Sequence, residues 1–252
     1  MIGTFLTDRG KVRSHNEDAG GIFYNQSNQF LAVIADGMGG HQAGDVASQM
    51  AISLIREKWE NTNTFKTPDE IEKWLTDSIK DINEAIYLHA TENKECEGMG
   101  TTIVITIHIH DFLTIAHIGD SRCYMLNEDG FKQITEDHSL VNALVQSGQI
   151  TKDDALYHPR KNVVLRALGS ENNVEVDIRT INVETGDKIL LCTDGLTDKI
   201  VDDELYEVIR SGSELPEIGQ RLIDMANDRG GEDNISLIIL SKGSTLKAGG
   251  DT

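Results

Sequence analysis

Four apolar stretches of this chain each carry an aspartate at one end. Asp36 closes LAVIA and is followed by Gly37; Asp194 closes KILLCT and is followed by Gly195; Asp120 follows FLTIAHIG; Asp233 precedes NISLIIL. Short β-branched runs bounded by polar residues read as buried strands. One aspartate at a strand end is ordinarily a turn former or a helix cap. Four are a different matter, because strands lying side by side bring such ends together, and clustered carboxylates repel strongly enough to force protonation. A helix N-terminus, a basic side chain or a metal ion would each relieve Asp36. For a convergent set the simplest relief is a hard divalent cation. Oxygen donors without Cys or clustered His at the same points select Mg²⁺ or Mn²⁺ over Zn²⁺ or Cu²⁺.

The rest of the pattern is α+β. TTIVITIHI (101–109), FLTIAHIG (112–119) and RCYMLN (122–127) are strand runs, the first two joined by a turn at His110–Asp111. Ala47, Met50, Ala51, Leu54 and Ile55 mark one helix, and Thr67-Pro68-Asp69-Glu70 starts another whose apolar stripe runs from Ile71 to Ile86. Asp202 to Asp228 reads as helical. The segment from Asp137 to Leu168 differs in character, with a helix start at Thr151-x-x-Asp154 and then the irregular YHPRKN, and reads as a small helical insertion beside the core. No repeat or linker divides the chain, so residues 1–241 are expected to form one domain, with 242–252 a loose tail.

Composition excludes several function classes. A formal net charge of -19 leaves no basic face for nucleic acid or an anionic membrane, and a negatively charged substrate needs local positive charge to approach. No apolar run approaches the ~20 residues of a bilayer span. No basic-then-apolar leader opens the chain, which is expected to be cytoplasmic. Cys96, Cys123 and Cys192 are scattered, odd in number and outside any C-x-x-C arrangement, which fits small buried thiols and a reducing compartment. DGMGGH is neither a G-x-x-x-x-G-K-[ST] nor a G-x-G-x-x-G phosphate loop. His108 and His110 alternate on one strand and read as exposed hairpin histidines.

Seven ordered motifs then carry a resemblance: R-S-H-N-E-D (13–18), D-G-M-G-G-H (36–41), G-M-G-T-T (98–102), G-D-S-R (119–122), D-H-S-L (137–140), C-T-D-G-L-T-D (192–198) and G-E-D-N-I-S (231–236). In this order they resemble the metal-dependent protein phosphatases of the PPM, or 2C-like, group in its compact bacterial form. The resemblance covers about residues 3–240. It implies a four-layer α-β-β-α sandwich with two central, mainly antiparallel sheets, metals at one end, and a helical flap at about 140–166.

The resemblance also implies a site. Asp36 would bridge two Mn²⁺ or Mg²⁺ ions, with Gly37 giving its carbonyl to one, and Asp194 and Asp233 holding the other. Asp120 with Asp194 would hold a third. Glu17 and Asp18 would lie beside the pair, largely through water. Arg13 would grip the substrate phosphate, the alternative being a surface salt bridge to Asp8 or Glu17. His41 would be the proton donor, the alternative being a helix-start histidine bonded to backbone. Two cations sharing a water would lower its pKa and present hydroxide for in-line attack on phosphorus, with no covalent intermediate. The implied activity is hydrolysis of phosphoserine and phosphothreonine in proteins, opposing a bacterial Ser/Thr kinase, by a monomer. A non-catalytic metal-clamped module and a different two-metal hydrolase are the rivals. The filled acidic positions count against the first and the missing basic track against the second.

Overall fold

Alternation of side chains along the strands builds two cores from one set of strands. The computed structural model of the chain describes residues 1–40 and 43–243. His41 and residues 244–252 of the expected tail lie outside the described residues. In β3 (Phe30–Met38), Leu31 and Val33 face a helix-covered core, while Phe30, Ala32 and Ile34 face the opposite way into a second core shared with the other sheet. A period of two along a pleated strand requires this division.

One sheet has the order β2 (Asp18–Tyr24), β3, β5 (Ile103–Ile109), β6 (Phe112–Ile118) and β9 (Asp177–Asn182), with the short β4 (Gly100–Thr101) also paired to β3. The other has the order β1 (Ile2–Asp8), β11 (Ile235–Ser241), β10 (Lys188–Cys192), β7 (Arg122–Asn127) and β8 (Gly130–Gln133). Every described pairing between these strands is antiparallel. Helices α1 (Ala43–Glu60) and α2 (Pro68–Glu92) cover the first sheet through Trp59, Leu75, Ile82 and Ile86. Helices α3 (Leu140–Gln146) and α4 (Lys152–Leu156) fall within the insertion. The brief α5 (Asp194–Thr197) follows β10, and α6 (Asp202–Ile209) and α7 (Leu215–Asp228) cover the second sheet through Leu205, Ile218, Leu222 and Ile223. The architecture is the expected α-β-β-α sandwich.

Thr67 caps α2 as expected: its hydroxyl accepts from Glu70 N–H while the Glu70 carboxylate accepts from Thr67 N–H, each at 3.4 Å. The helical stretch from Asp202 to Asp228 is two helices, not one. Ser211-Gly212-Ser213 interrupts it, and Pro216 sits in the first turn of α7, where its missing N–H costs nothing. The turn at His110–Asp111 is present, with His110 at φ 51°. His108 is not an exposed hairpin residue. It is half buried, its Nε2 has no partner among the described residues, and burial pulls its pKa down to about 4. Lys242, just beyond β11, donates to the Asp111 carboxylate at 2.6 Å and the Val183 carbonyl at 2.7 Å. No helix among the described residues is long and apolar enough to cross a membrane.

Candidate metal centre

Antiparallel pairing gathers the aspartates at one end of the sandwich. Asp36 lies opposite Asp18 in the β2–β3 ladder. The Asp36 carbonyl accepts from Thr102 N–H at 2.9 Å, at the start of β5, whose Ile103 lies opposite Ile118 at the end of β6. Asp120 follows two residues later. In the facing sheet β10 ends where β11 begins, so Asp194 and Asp233 meet, and Thr193 N–H reaches Ser236 O at 3.1 Å across that junction.

Two glycines make the approach possible. A Cβ on Gly37 would stand 2.1 Å from the Gly44 carbonyl oxygen, and one on Gly195 would stand 1.9 Å from that of Asn234. Both positions require backbone-to-backbone contact that any side chain would block.

The electrostatics are one-sided. Burial first, then Asp18, Asp194, Asp120 and Asp233, push the Asp36 pKa well above the carboxylate range. Burial, then Asp120 and Asp233, do the same to Asp194. Burial raises Asp18 to about 7 despite the neighbouring Ser236 and Thr193 hydroxyls, and burial together with Asp137 raises Asp120 to about 6. Glu17 is also raised, chiefly by burial. Asp18 Oδ1 and Asp194 Oδ1 are buried without a hydrogen-bond partner among the described residues. An orphaned carboxylate oxygen is costly to bury unless a cation completes it. Hard oxygen donors with unused lone pairs, repelling one another, fit a divalent ion of the Mg²⁺ or Mn²⁺ kind.

Each candidate residue except His41 falls at this end. Arg13 is exposed, and its Nη2 donates to Asp233 Oδ2 at 2.8 Å, so its partner is neither Asp8 nor Glu17. Burial works against the Arg13 charge, but Asp233 outweighs it and the pKa rises. Glu17 offers its carbonyl to Gly37 N–H at 3.1 Å. His15 borders an open trough of about 970 Å³ with Ser14, Lys94 and Cys96. On the other side a cleft of about 260 Å³ runs between the insertion and the core, lined by Asp120, Asp194, Arg122, Tyr157 and Lys161. Cys192 is buried and its pKa is pushed up to about 12 by burial, which suits packing and not nucleophilic attack. Thr193 belongs to the centre although sequence patterning gave it no role: its hydroxyl donates to Asp18 Oδ2 at 2.9 Å. So does Asn234, whose amide accepts from Glu17 N–H and donates to the Arg9 and His15 carbonyls, holding the loop that carries Arg13. Both lie inside quoted motifs, but a side chain that bonds backbone leaves no mark in polarity or spacing.

Comparison with known proteins places this geometry. A family model described as protein phosphatase 2C matches residues 7–236. The serine/threonine phosphatase stp of Listeria monocytogenes is 47% identical over 247 residues, covering 98% of this chain and 98% of that one. The crystal structure of serine/threonine phosphatase Stp1 from Staphylococcus aureus is 40% identical, with a TM-score of 0.93 over 96% of this chain and 95% of that one. The catalytic domain of the serine threonine protein phosphatase PstP, solved in complex with 2 manganese ions, is 32% identical, with a TM-score of 0.84 over 96% of this chain and 98% of that one. Sandwich, motif order and convergent carboxylates agree with these matches along nearly the whole chain, and the chain belongs to the protein phosphatase 2C family.

Proposed function

We propose that the carboxylate end of the sandwich holds two divalent cations, Mn²⁺ or Mg²⁺, and that the chain there hydrolyses phosphoserine and phosphothreonine esters in proteins. The observation that carries the reading is the pair of buried oxygens, Asp18 Oδ1 and Asp194 Oδ1, that have no partner among the described residues and lie in a set of mutually repelling carboxylates. Held by these residues, the cations would supply Lewis acidity, which lowers the pKa of a water towards neutrality and offsets charge on the phosphoryl oxygens.

The side chains then have distinct tasks. Asp36, Asp194 and Asp233 are the direct donors, with the Gly37 carbonyl. Glu17 and Asp18 act from the margin, through water. Asp120, the neighbour that most raises Asp194 after burial, forms with it a further carboxylate pair suited to a third ion. Arg13 exchanges Asp233 for the substrate phosphate, giving a planar, permanently charged grip on two oxygens. That charge, with the cations, inverts locally the field of a chain whose net charge is -19. His41 supplies the proton to the leaving alkoxide. Residues 1–241 act as a single monomeric domain in the cytoplasm, with the insertion at 140–166 as its flap. The substrates are phosphoproteins, among them a Ser/Thr kinase that this enzyme opposes.

The reading is tested by p-nitrophenyl phosphate and phosphothreonine-peptide turnover with Mn²⁺, with EDTA, and in Asp36→Asn and Asp194→Asn. Turnover should require the ion and collapse in both variants. Activity that survives chelation and both substitutions would overturn it.

A further inference from the structure

Asp120 is buried, and the residue before it is clamped by a single residue, through its backbone and its ring. His138 N–H donates to the Gly119 carbonyl at 2.9 Å, and Gly119 N–H donates to His138 Nδ1 at 3.1 Å. A neutral imidazole has one acceptor nitrogen, so the ring proton belongs on Nε2. Nε2 faces Asp177 Oδ2 at 3.4 Å and Arg166 Nη1 at 3.1 Å. Arg166 Nη1 already spends its hydrogens on Asp177 Oδ1 at 2.7 Å and the Glu175 carbonyl at 3.2 Å. Asp177 is therefore the acceptor for Nε2–H.

His117, His138 and Asp177 are also the one group of three metal-type donors, among the described residues, whose atoms close to within 4.8 Å. Two features speak against an ion there. The imidazoles are stacked, with centroids 4.6 Å apart and planes at 21°, so their lone pairs run side by side and do not converge. The guanidinium of Arg166 also fills the place of the cation. The cluster orients something instead, and it touches both sides of the centre. Leu165 N–H donates to the His138 carbonyl at 2.7 Å, and Leu168 pairs with Thr101, whose hydroxyl donates to the Asp36 carbonyl at 2.9 Å.

We propose that Asp177 and Arg166 are positioning residues for the metal centre, acting through His138. Asp177 fixes the tautomer and plane of the His138 ring; the ring holds the Gly119 N–H, the His138 backbone N–H holds the Gly119 carbonyl, and together they set the direction in which Asp120 leaves the chain. Arg166 holds Asp177 in place and ties it to the end of the insertion. The inference rests on the reading that Asp120 holds a cation, and its test separates the two.

Bound Mn²⁺ is counted by electron paramagnetic resonance during titration of the wild-type chain, Asp120→Asn, Asp177→Asn and Asp177→Glu, beside p-nitrophenyl phosphate kinetics. In Asp177→Asn the amide can donate to Nε2 and turn Nδ1–H against Gly119 N–H. The Asp120-dependent ion should weaken by about 10-fold, the scale of lost outer-shell support. The tighter ions and the KM should stay, and Asp177→Glu should recover most of the loss. Arg166→Gln gives a second perturbation with the same expected pattern, and Asp111→Asn, which breaks an exposed pair with Lys242, should change nothing. Loss of the ion in Asp120→Asn with wild-type titrations in Asp177→Asn and Arg166→Gln would overturn this inference alone. Equal weakening of every ion with a falling Tm would also overturn it, as a general structural effect. If Asp120→Asn loses no ion, the reading of Asp120 fails and this inference falls with it.

Discussion

Two charged clusters share one end of the sandwich and are built on opposite plans. In one, Arg122 donates to Asp137 three times, at 3.0, 3.0 and 2.7 Å, and Gln133 adds a fourth hydrogen bond at 2.8 Å. Its charges cancel and its lone pairs are used. In the other, Asp18, Asp36, Asp120 and Asp194 repel one another, and two of their oxygens find no donor among the described residues. The first arrangement is complete as the chain folds. The second is complete only with something the chain does not carry. Burying a charge without its partner costs stability, so on the proposed reading the unbalanced cluster is where stability gives way to chemistry.

If that contrast is right, single substitutions should act in opposite senses on the two clusters. The largest effect is expected in Asp36→Asn and Asp194→Asn, where kcat/KM should fall by about 10²- to 10³-fold, the scale of losing one electrostatic contribution at the reacting centre, because the cation these carboxylates would hold is weakened. Melting with EDTA should show no loss of stability, since a repelling charge has gone. Asp137→Ala should do the reverse. It strands Arg122 in a part-buried site, and should cost about 3 kcal/mol, or a Tm drop of roughly 6–12 °C. Arg13→Ala should leave the melt unchanged, because Arg13 is exposed. Its kcat/KM for phosphopeptide should fall about 10- to 100-fold, as for a lost charge-assisted hydrogen-bond pair. A destabilised Asp194→Asn, or a neutral Asp137→Ala, would break the comparison.

Legibility from sequence followed burial. The strands read correctly, at LAVIA, 101–109, 112–119, 122–127, 188–194 and 234–240, are interior strands of the two sheets. Those that gave no pattern are β1, β2, β8 and β9, which are the four sheet edges. An edge strand is half covered and can hold Gly20 and Gly21 in β2 or Asp177 and Arg179 in β9, so no continuous apolar run announces it. Asp36, Asp120, Asp194 and Asp233 were conspicuous for the complementary reason, since each stands at the end of an apolar run, whereas Glu17 and Asp18 lie in the polar RSHNED and came only from the resemblance. Arg122–Asp137 and His138–Arg166–Asp177 were not readable. Their partners lie 15 and 28 residues apart, on elements whose adjacency only the fold supplies.

Asp18 gives a sharper test than either extreme, because it lies at the margin of the unbalanced cluster. An Asn there keeps the oxygen that Thr193 donates to and replaces the orphaned oxygen with an amide donor aimed among carboxylates. In EDTA the Asp18→Asn chain should melt higher than wild type by roughly 2–8 °C, corresponding to about 1–2 kcal/mol. With saturating Mn²⁺ the advantage should vanish.

The smallest expected effect concerns pH, and its sign follows from the same cluster. Asp18 and Asp120 titrate at about 7 and about 6 in the fold, above their ordinary carboxylate values. Below those values the native state holds protons that the unfolded chain has released. The stability they cost the ion-free protein at high pH is therefore recovered as pH falls. His108 and His138, whose pKa values burial lowers, act the other way over the same window, so the ion-free melt alone is ambiguous. The difference between melts with Mn²⁺ and with EDTA cancels the histidines, because only the carboxylates must lose protons to accept a cation. That difference should be largest near pH 7.5 and shrink towards pH 5.5. A difference that stays constant or grows over this range would mean that the ion binds away from the raised carboxylates Asp18, Asp36, Asp120 and Asp194.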